Sequence, residues 1–181
     1  EAGGVFELAA RIRAANEVKP IWAHANDAAY SAAYAIGAAA SRLTLSQTAG
    51  VGSIGVIALH VDQSVKDAKD GLTYTAIYAG GRKNDLSPHA PLSPEAATTL
   101  QVEVDRLYDI FVGHVAQARG LESEAIRGLE AGLVFGDAAV TAGLADAVTS
   151  FEEVISAFAL TLEARRRLTA NGARASPGPG M

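Results

Sequence analysis

Apolar side chains recur at helical spacing over residues 5 to 15 (Val-Phe-Glu-Leu-Ala-Ala-Arg-Ile-Arg-Ala-Ala), directly after Gly3-Gly4. This predicts a glycine turn feeding a helix. Pro20 to Ala25 reads as a short buried strand. Ala28 to Ala40 reads as a helix built almost wholly of small residues, with Ser31 near its N-terminus. Leu43 to Thr48, Ile54 to Val61 and Leu72 to Ala79 are apolar or alternating runs rich in Ile, Val, Thr and Tyr, bounded by glycine or polar residues. Each predicts a strand. Val65 to Asp70 predicts a short helix between the last two.

The second half is mainly helical. Ser93-Pro94 is a capping pair for the longest helix, whose apolar face is traced by Ala97, Leu100, Val104, Leu107, Phe111 and Val115 before Gly120 closes it. A short helix from Glu122, a glycine-bounded Leu133-Val134-Phe135 and a helix over Asp137 to Ala142, stopped by Gly143, complete a body spanning residues 1 to 150. A further helix is expected over 151 to 168. The tail 169 to 181 lacks the apolar content to pack and is expected to be disordered. Helices alternating with strands in the first half predict an α/β fold with a mostly parallel sheet.

Composition narrows the partners. The formal net charge is -5, but Arg165, Arg166, Arg167 and Arg174 follow the last acid, Glu163, so residues 1 to 163 carry 11 bases against 20 acids. A body at -9 repels a phosphate backbone, which argues against nucleic-acid binding. The absence of cysteine excludes a disulfide framework, a thiol nucleophile and a thiolate metal site. No apolar run reaches the roughly 18 to 20 residues of a membrane-spanning helix. A chain without cysteine is compatible with a cytoplasmic location. The chain opens at Glu1 and its only methionine is Met181, which reads as a fragment or a processed product.

The candidate chemistry centres on Ser31 in Ala28-Ala29-Tyr30-Ser31-Ala32-Ala33-Tyr34. A serine hydroxyl becomes nucleophilic when a base takes its proton, and free N–H groups at a helix N-terminus stabilise the oxyanion that follows. The competing reading is a serine chosen for its size in an alanine-rich helix. Gly-x-Ser-x-Gly is absent, since Ala29 and Ala33 stand where the glycines would, so an ordinary α/β-hydrolase is disfavoured. Lys83, in Gly80-Gly81-Arg82-Lys83-Asn84-Asp85, is a candidate base. It must be neutral to act, which requires desolvation or a nearby positive charge such as Arg82; otherwise it is a solvated loop lysine. Gly50 to Gly55 matches Gly-x-Gly-x-x-Gly but opens an apolar run suited to a strand rather than a helix, so nucleotide binding is disfavoured. His24, His60, His89 and His114 show no metal-ligand spacing, and no metal or other cofactor is expected. His60 and Asp62 would share one face of a strand and form a rival triad with Ser31.

Together the Ser31 segment, Gly52-Ser53-Ile54-Gly55-Val56, Gly80 to Asp85, and Gly136-Asp137-Ala138-Ala139 leading to Gly143-Leu144-Ala145-Asp146 resemble the signal peptide peptidase A family over residues 3 to 150. The phage-type branch of minor capsid protein C and prohead proteases is the most similar, and His60-Val61-Asp62-Gln63-Ser64 fits there too. The resemblance implies a ClpP/crotonase-like spiral of strand-strand-helix units. It implies Ser31 as nucleophile, Lys83 as general base, Ser53 orienting the lysine, and backbone N–H groups of Ala32 and Gly4 as oxyanion hole. It further implies homo-oligomers, polypeptide substrates with small or apolar residues before the scissile bond, and scaffold or capsid proteins as targets in head maturation. Family members usually carry a strand ahead of the glycine pair, and that strand is missing here. The rival functions are a noncatalytic ClpP-like capsid assembly protein, a signal-peptide-degrading peptidase and a crotonase-like acyl-CoA enzyme.

Overall fold

The computed structural model describes residues 3–175, with side chains to residue 168. The chain divides into two compact units, one formed by residues up to Ile54 and from Val112 onward, the other by Gly55–Phe111.

The first unit opens with α1 (Val5–Val18), whose N-cap Gly4 takes φ 79, a backbone state that glycine adopts without cost. The glycine pair therefore feeds a helix as the sequence predicts. β1 (Trp22–Ala25), β2 (Ala28–Tyr30), α2 (Ala32–Ala38), β3 (Arg42–Leu45) and β4 (Gly50–Gly52) follow. After α3 (Ser64–Lys69) and α4 (Pro94–Arg119), the chain completes this unit with α5 (Ser123–Arg127), β5 (Leu133–Phe135), α6 (Gly136–Thr141), β6 (Ala147–Val148) and α7 (Phe151–Ala175). β1, β3 and β6 form a parallel sheet in the order β1-β3-β6. A second sheet runs β2-β4-β5, parallel between β2 and β4 and antiparallel between β4 and β5.

Small side chains let these layers approach closely. α1 packs on α2, and Ala9, Ala35, Ala38 and Ala39 are buried together with Tyr34, Leu43, Leu45 and Val51. The stretch Ala28–Ala40 is thus not one helix. It is a strand, a single-residue corner at Ser31, and a two-turn helix. Alanine content alone favours helix, but pairing of Ala28–Tyr30 with Gly50–Gly52 overrides that preference.

The second unit holds α3 and the first part of α4. Ser93 caps α4 through its hydroxyl to the Ala96 amide at 3.1 Å. The buried face of α4 starts at Ala96 rather than Ala97 and runs on to Phe111, Val112 and Val115. Asp67 of α3 accepts a hydrogen bond from His89 Nδ1 at 2.9 Å, and Tyr74 stacks on that imidazole with ring centroids 3.6 Å apart. The predicted strands Ile54–Val61 and Leu72–Ala79 are not formed. Among the described residues no backbone hydrogen bond reaches 55–61 or 73–79, so these β-prone runs lack the ladder that makes a strand. The helix expected to end near Leu168 continues to Ala175, through Asn171-Gly172, where glycine costs a helix about 1 kcal/mol but does not forbid it; Pro177 is the first proline beyond. Of the tail expected to be disordered, 176–181 lies outside the described residues.

Candidate active site at the Ser31 corner

Ser31 sits between β2 and α2 with φ 51 and ψ -122. A residue with a side chain rarely holds that geometry, and persists there only where the surroundings fix it. Here the surroundings are hydrogen bonds on both sides: the Ser31 amide donates to the Gly52 carbonyl at 2.9 Å, and the Ser31 carbonyl accepts from the Ala35 amide at 3.0 Å. The result is a sharp strand-to-helix turn that lifts a half-buried serine clear of the sheet, the backbone arrangement of a nucleophile elbow. Ala32 is the first residue of α2, and the first N–H groups of a helix have no intrahelical partner.

Ser53 lies beside this corner. Tyr30 pairs with Gly52 in register, so Ser31 and Ser53 leave adjacent parallel strands side by side. Ser53 also has positive φ, 53, and its amide donates to the Gly132 carbonyl at 3.1 Å. Gly52 makes this approach possible: its φ is 112, and a Cβ there would stand 2.6 Å from the Gly132 oxygen. Gly50 to Gly52 is a strand with Phe135 and Gly132 against it, not the mouth of a helix. Gly4 belongs to the same unit, exposed at the start of α1.

The remaining candidates lie in the second unit. Lys83 is exposed in a series of turns in which its amide donates to the Gly80 carbonyl at 3.0 Å and the Asp85 amide donates to the Arg82 carbonyl at 3.3 Å. His60 donates through Nε2 to the Ser87 carbonyl at 3.0 Å. Asp62 accepts from the Ser64 amide at 2.9 Å at the start of α3, and the Ser64 hydrogen bonds hold its carboxyl below the usual range. No hydrogen bond joins His60 to Asp62 among the described residues, and the strand that would align them is absent.

Comparison with known proteins matches residues 13–165 to the model of peptidase family S49. The chain belongs to peptidase family S49. It is 34% identical over 169 residues to the capsid assembly protease C of Escherichia phage lambda, covering 93% of this chain and 38% of that protein. It is 35% identical over 167 residues to the head-tail preconnector protein GP5 of Enterobacteria phage P21, covering 92% of this chain and 33% of that one. The chain thus spans between a third and two fifths of the length of these relatives. In fold it is similar to a membrane-bound stomatin-specific protease, 1510-N, with a TM-score of 0.51 at 12% identity, covering 86% of this chain and 62% of that one. Among the described residues no helix is long and apolar enough to cross a membrane.

This S49 chain braces the Ser31 corner and the adjoining β3 with groups whose bracing role the sequence pattern did not give. His114 of α4 donates through Nε2 to the Ala35 carbonyl at 2.7 Å and accepts at Nδ1 from Arg13 of α1 at 2.6 Å. Both bonds suit a neutral imidazole, and burial, with the Arg13 charge, holds its pKa below 6.5 despite the Ala35 bond. Tyr34 donates to the Leu144 carbonyl at 2.9 Å, and burial pushes its phenol far up. Asp146 accepts from the Leu43 amide and, through both oxygens, from Arg119. Burial raises the Asp146 pKa, but those bonds and the Arg119 and Arg42 charges outweigh it and leave the carboxyl below its ordinary value. Gly143-Leu144-Ala145-Asp146 was a sequence signal for this brace. His114 was visible only as one histidine among four.

Proposed function

We propose that this chain carries the serine peptidase centre of a phage-type capsid maturation protease, with Ser31 as nucleophile and Lys83 as general base, on a ClpP/crotonase-like spiral. The observation that carries the reading is the backbone of Ser31. A serine held at φ 51 between a strand and a helix, beside free helix N–H groups, has a nucleophile's setting. Lys83 is assigned by the family resemblance of Gly80 to Asp85.

In this reading the neutral Lys83 amine takes the Ser31 hydroxyl proton as Oγ attacks the scissile carbonyl. The N–H groups of Ala32 and Gly4 receive the oxyanion. As the C–N bond breaks, the lysine returns the proton to the leaving amine and an ester remains on Ser31. Water, deprotonated by Lys83, then hydrolyses that ester and regenerates the serine. Ser53, side by side with Ser31 at the strand ends, holds the amine toward the hydroxyl. The substrates are scaffold or capsid polypeptides, and homo-oligomers complete the grooves that bind them. The similarity to two phage head proteins supports that substrate class.

Lys83→Ala should abolish cleavage of an internally quenched peptide and leave the melting temperature unchanged, and an acylating probe should leave its mass on the Ser31 peptide of the parent chain alone. Turnover retained by Lys83→Ala defeats the lysine. Loss on His60→Ala with Lys83 dispensable installs the triad instead.

A further inference from the structure

We propose that Arg82 is a positioning residue for Lys83, a clamp that fixes the lysine turn to α4; the inference rests on the reading of Lys83 as the base. The turn needs such a clamp. Residues 73–79 lead into it exposed and without backbone hydrogen bonds among the described residues, and Gly80 breaks direction with φ 90. Tyr74, stacked on His89, is the anchor of that lead-in, and it lies eight residues before Arg82.

Arg82 supplies what is missing. Its Nε donates to the Asp85 carboxylate, within the turn. Its Nη2 donates to the Thr99 hydroxyl at 2.7 Å and to the Glu95 carbonyl at 3.3 Å, both in the first two turns of α4. Thr99 in turn donates to the Glu95 carbonyl at 3.0 Å, so the hydroxyl is oriented to receive the guanidinium. One planar, rigid group therefore joins the turn to a 26-residue helix. Lys83 is the next residue, and consecutive Cα atoms are about 3.8 Å apart, so its backbone goes where Arg82 is held. Arg82, Lys83, Asp85, Leu86, Thr99 and Leu100 line one cavity of about 560 Å³, and loss of the clamp removes one of its walls.

The geometry separates this role from an electrostatic one. A cation beside Lys83 favours its neutral form, but the Arg82 guanidinium is turned to a carboxylate and to α4, and Asp85 offsets its charge. Position, not charge, is what Arg82 gives. Lysine cannot reproduce a forked, two-sided contact.

The experiment measures kcat, KM and the pH profile for cleavage of an internally quenched peptide of small apolar residues by the parent chain and by Arg82→Ala, Arg82→Lys, Thr99→Val and Lys83→Ala. Misplacing a catalytic group by about 1 Å costs up to about 100-fold. Arg82→Ala and Arg82→Lys should each lower kcat about ten-fold, with KM within about two-fold and the acid limb of the profile unmoved; Thr99→Val should lower kcat about three-fold. Parent-like kcat in Arg82→Ala overturns the clamp. So does a parent-like Arg82→Lys beside an Arg82→Ala whose acid limb moves to higher pH, because that pattern is a charge effect. Should Arg82→Ala fail to fold, Thr99→Val decides, and an unchanged kcat there overturns the proposal. Turnover by Lys83→Ala removes the Lys83 reading and the clamp with it, whereas an inactive Lys83→Ala beside an unaffected Arg82→Ala removes the clamp alone.

Discussion

A serine at φ 51 is kept in place against its own preference, and that has a measurable consequence. Glycine reaches the same backbone state freely, while alanine meets the same obstacle as serine. Ser31→Gly should therefore be more stable than Ser31→Ala by about 1 kcal/mol, with neither variant cleaving peptide under the proposed role of Ser31; urea unfolding of the pair checks it. If the two variants unfold together, the corner is not strained. Ser31 was legible in the sequence because it stands in a run made mostly of alanine. The sign of its φ was not, because it follows from where the Gly52 carbonyl and the Ala35 amide pull the chain. The same holds for Ser53, which the Gly52-Ser53-Ile54-Gly55-Val56 motif singles out but whose place beside Ser31 follows only once β2 and β4 are set in register.

At the scale of elements, the joint of α1, α2 and α4 hangs on a neutral His114. Its folded pKa is lowered, so the unfolded chain takes up a proton near pH 6.5 that the folded chain resists. The stabilisation is complete above about 6.5 and is lost as pH falls through the folded value. Melting temperature should accordingly drop as pH falls below about 6.5, and His114→Gln should flatten that part of the curve. A second test concerns the β4 corner: Gly52→Ala must force a Cβ against the Gly132 oxygen at a φ of 112, and should lower stability by about 2 kcal/mol or more in the same urea assay. Helices were the legible elements, because their caps and periods are local: Gly4, Ser93 and Gly143 mark ends that the structure keeps. Short strands were less so. β6 is two residues long, and β4 precedes the apolar run that carries the stronger β pattern.

For the molecule as a whole, the parallel sheet and the helical second half follow the sequence pattern, while 55–61 and 72–79 do not. Their alternating Ile, Leu, Val and Tyr describe what these segments are suited to, and a ladder also requires a partner that the described residues do not offer. Ile57 and Ile77 remain 86% and 98% exposed. An uncharged β-prone run in that condition is a template for unwanted pairing. Ile77→Lys should leave the melting temperature unchanged and suppress concentration-dependent light scattering; scattering that does not fall would mean the run is covered.

Gly50 carries a last consequence. Its missing side chain is occupied space: a Cβ there would meet the Tyr30 phenol and stand 2.7 Å from the Phe135 ring. Tyr30 is the residue directly before Ser31. A methyl group added at a position that never touches a reactant would thus tilt the platform on which the hydroxyl is aimed, and a screen for lost turnover in soluble, folded variants should recover Gly50 though no chemistry occurs there.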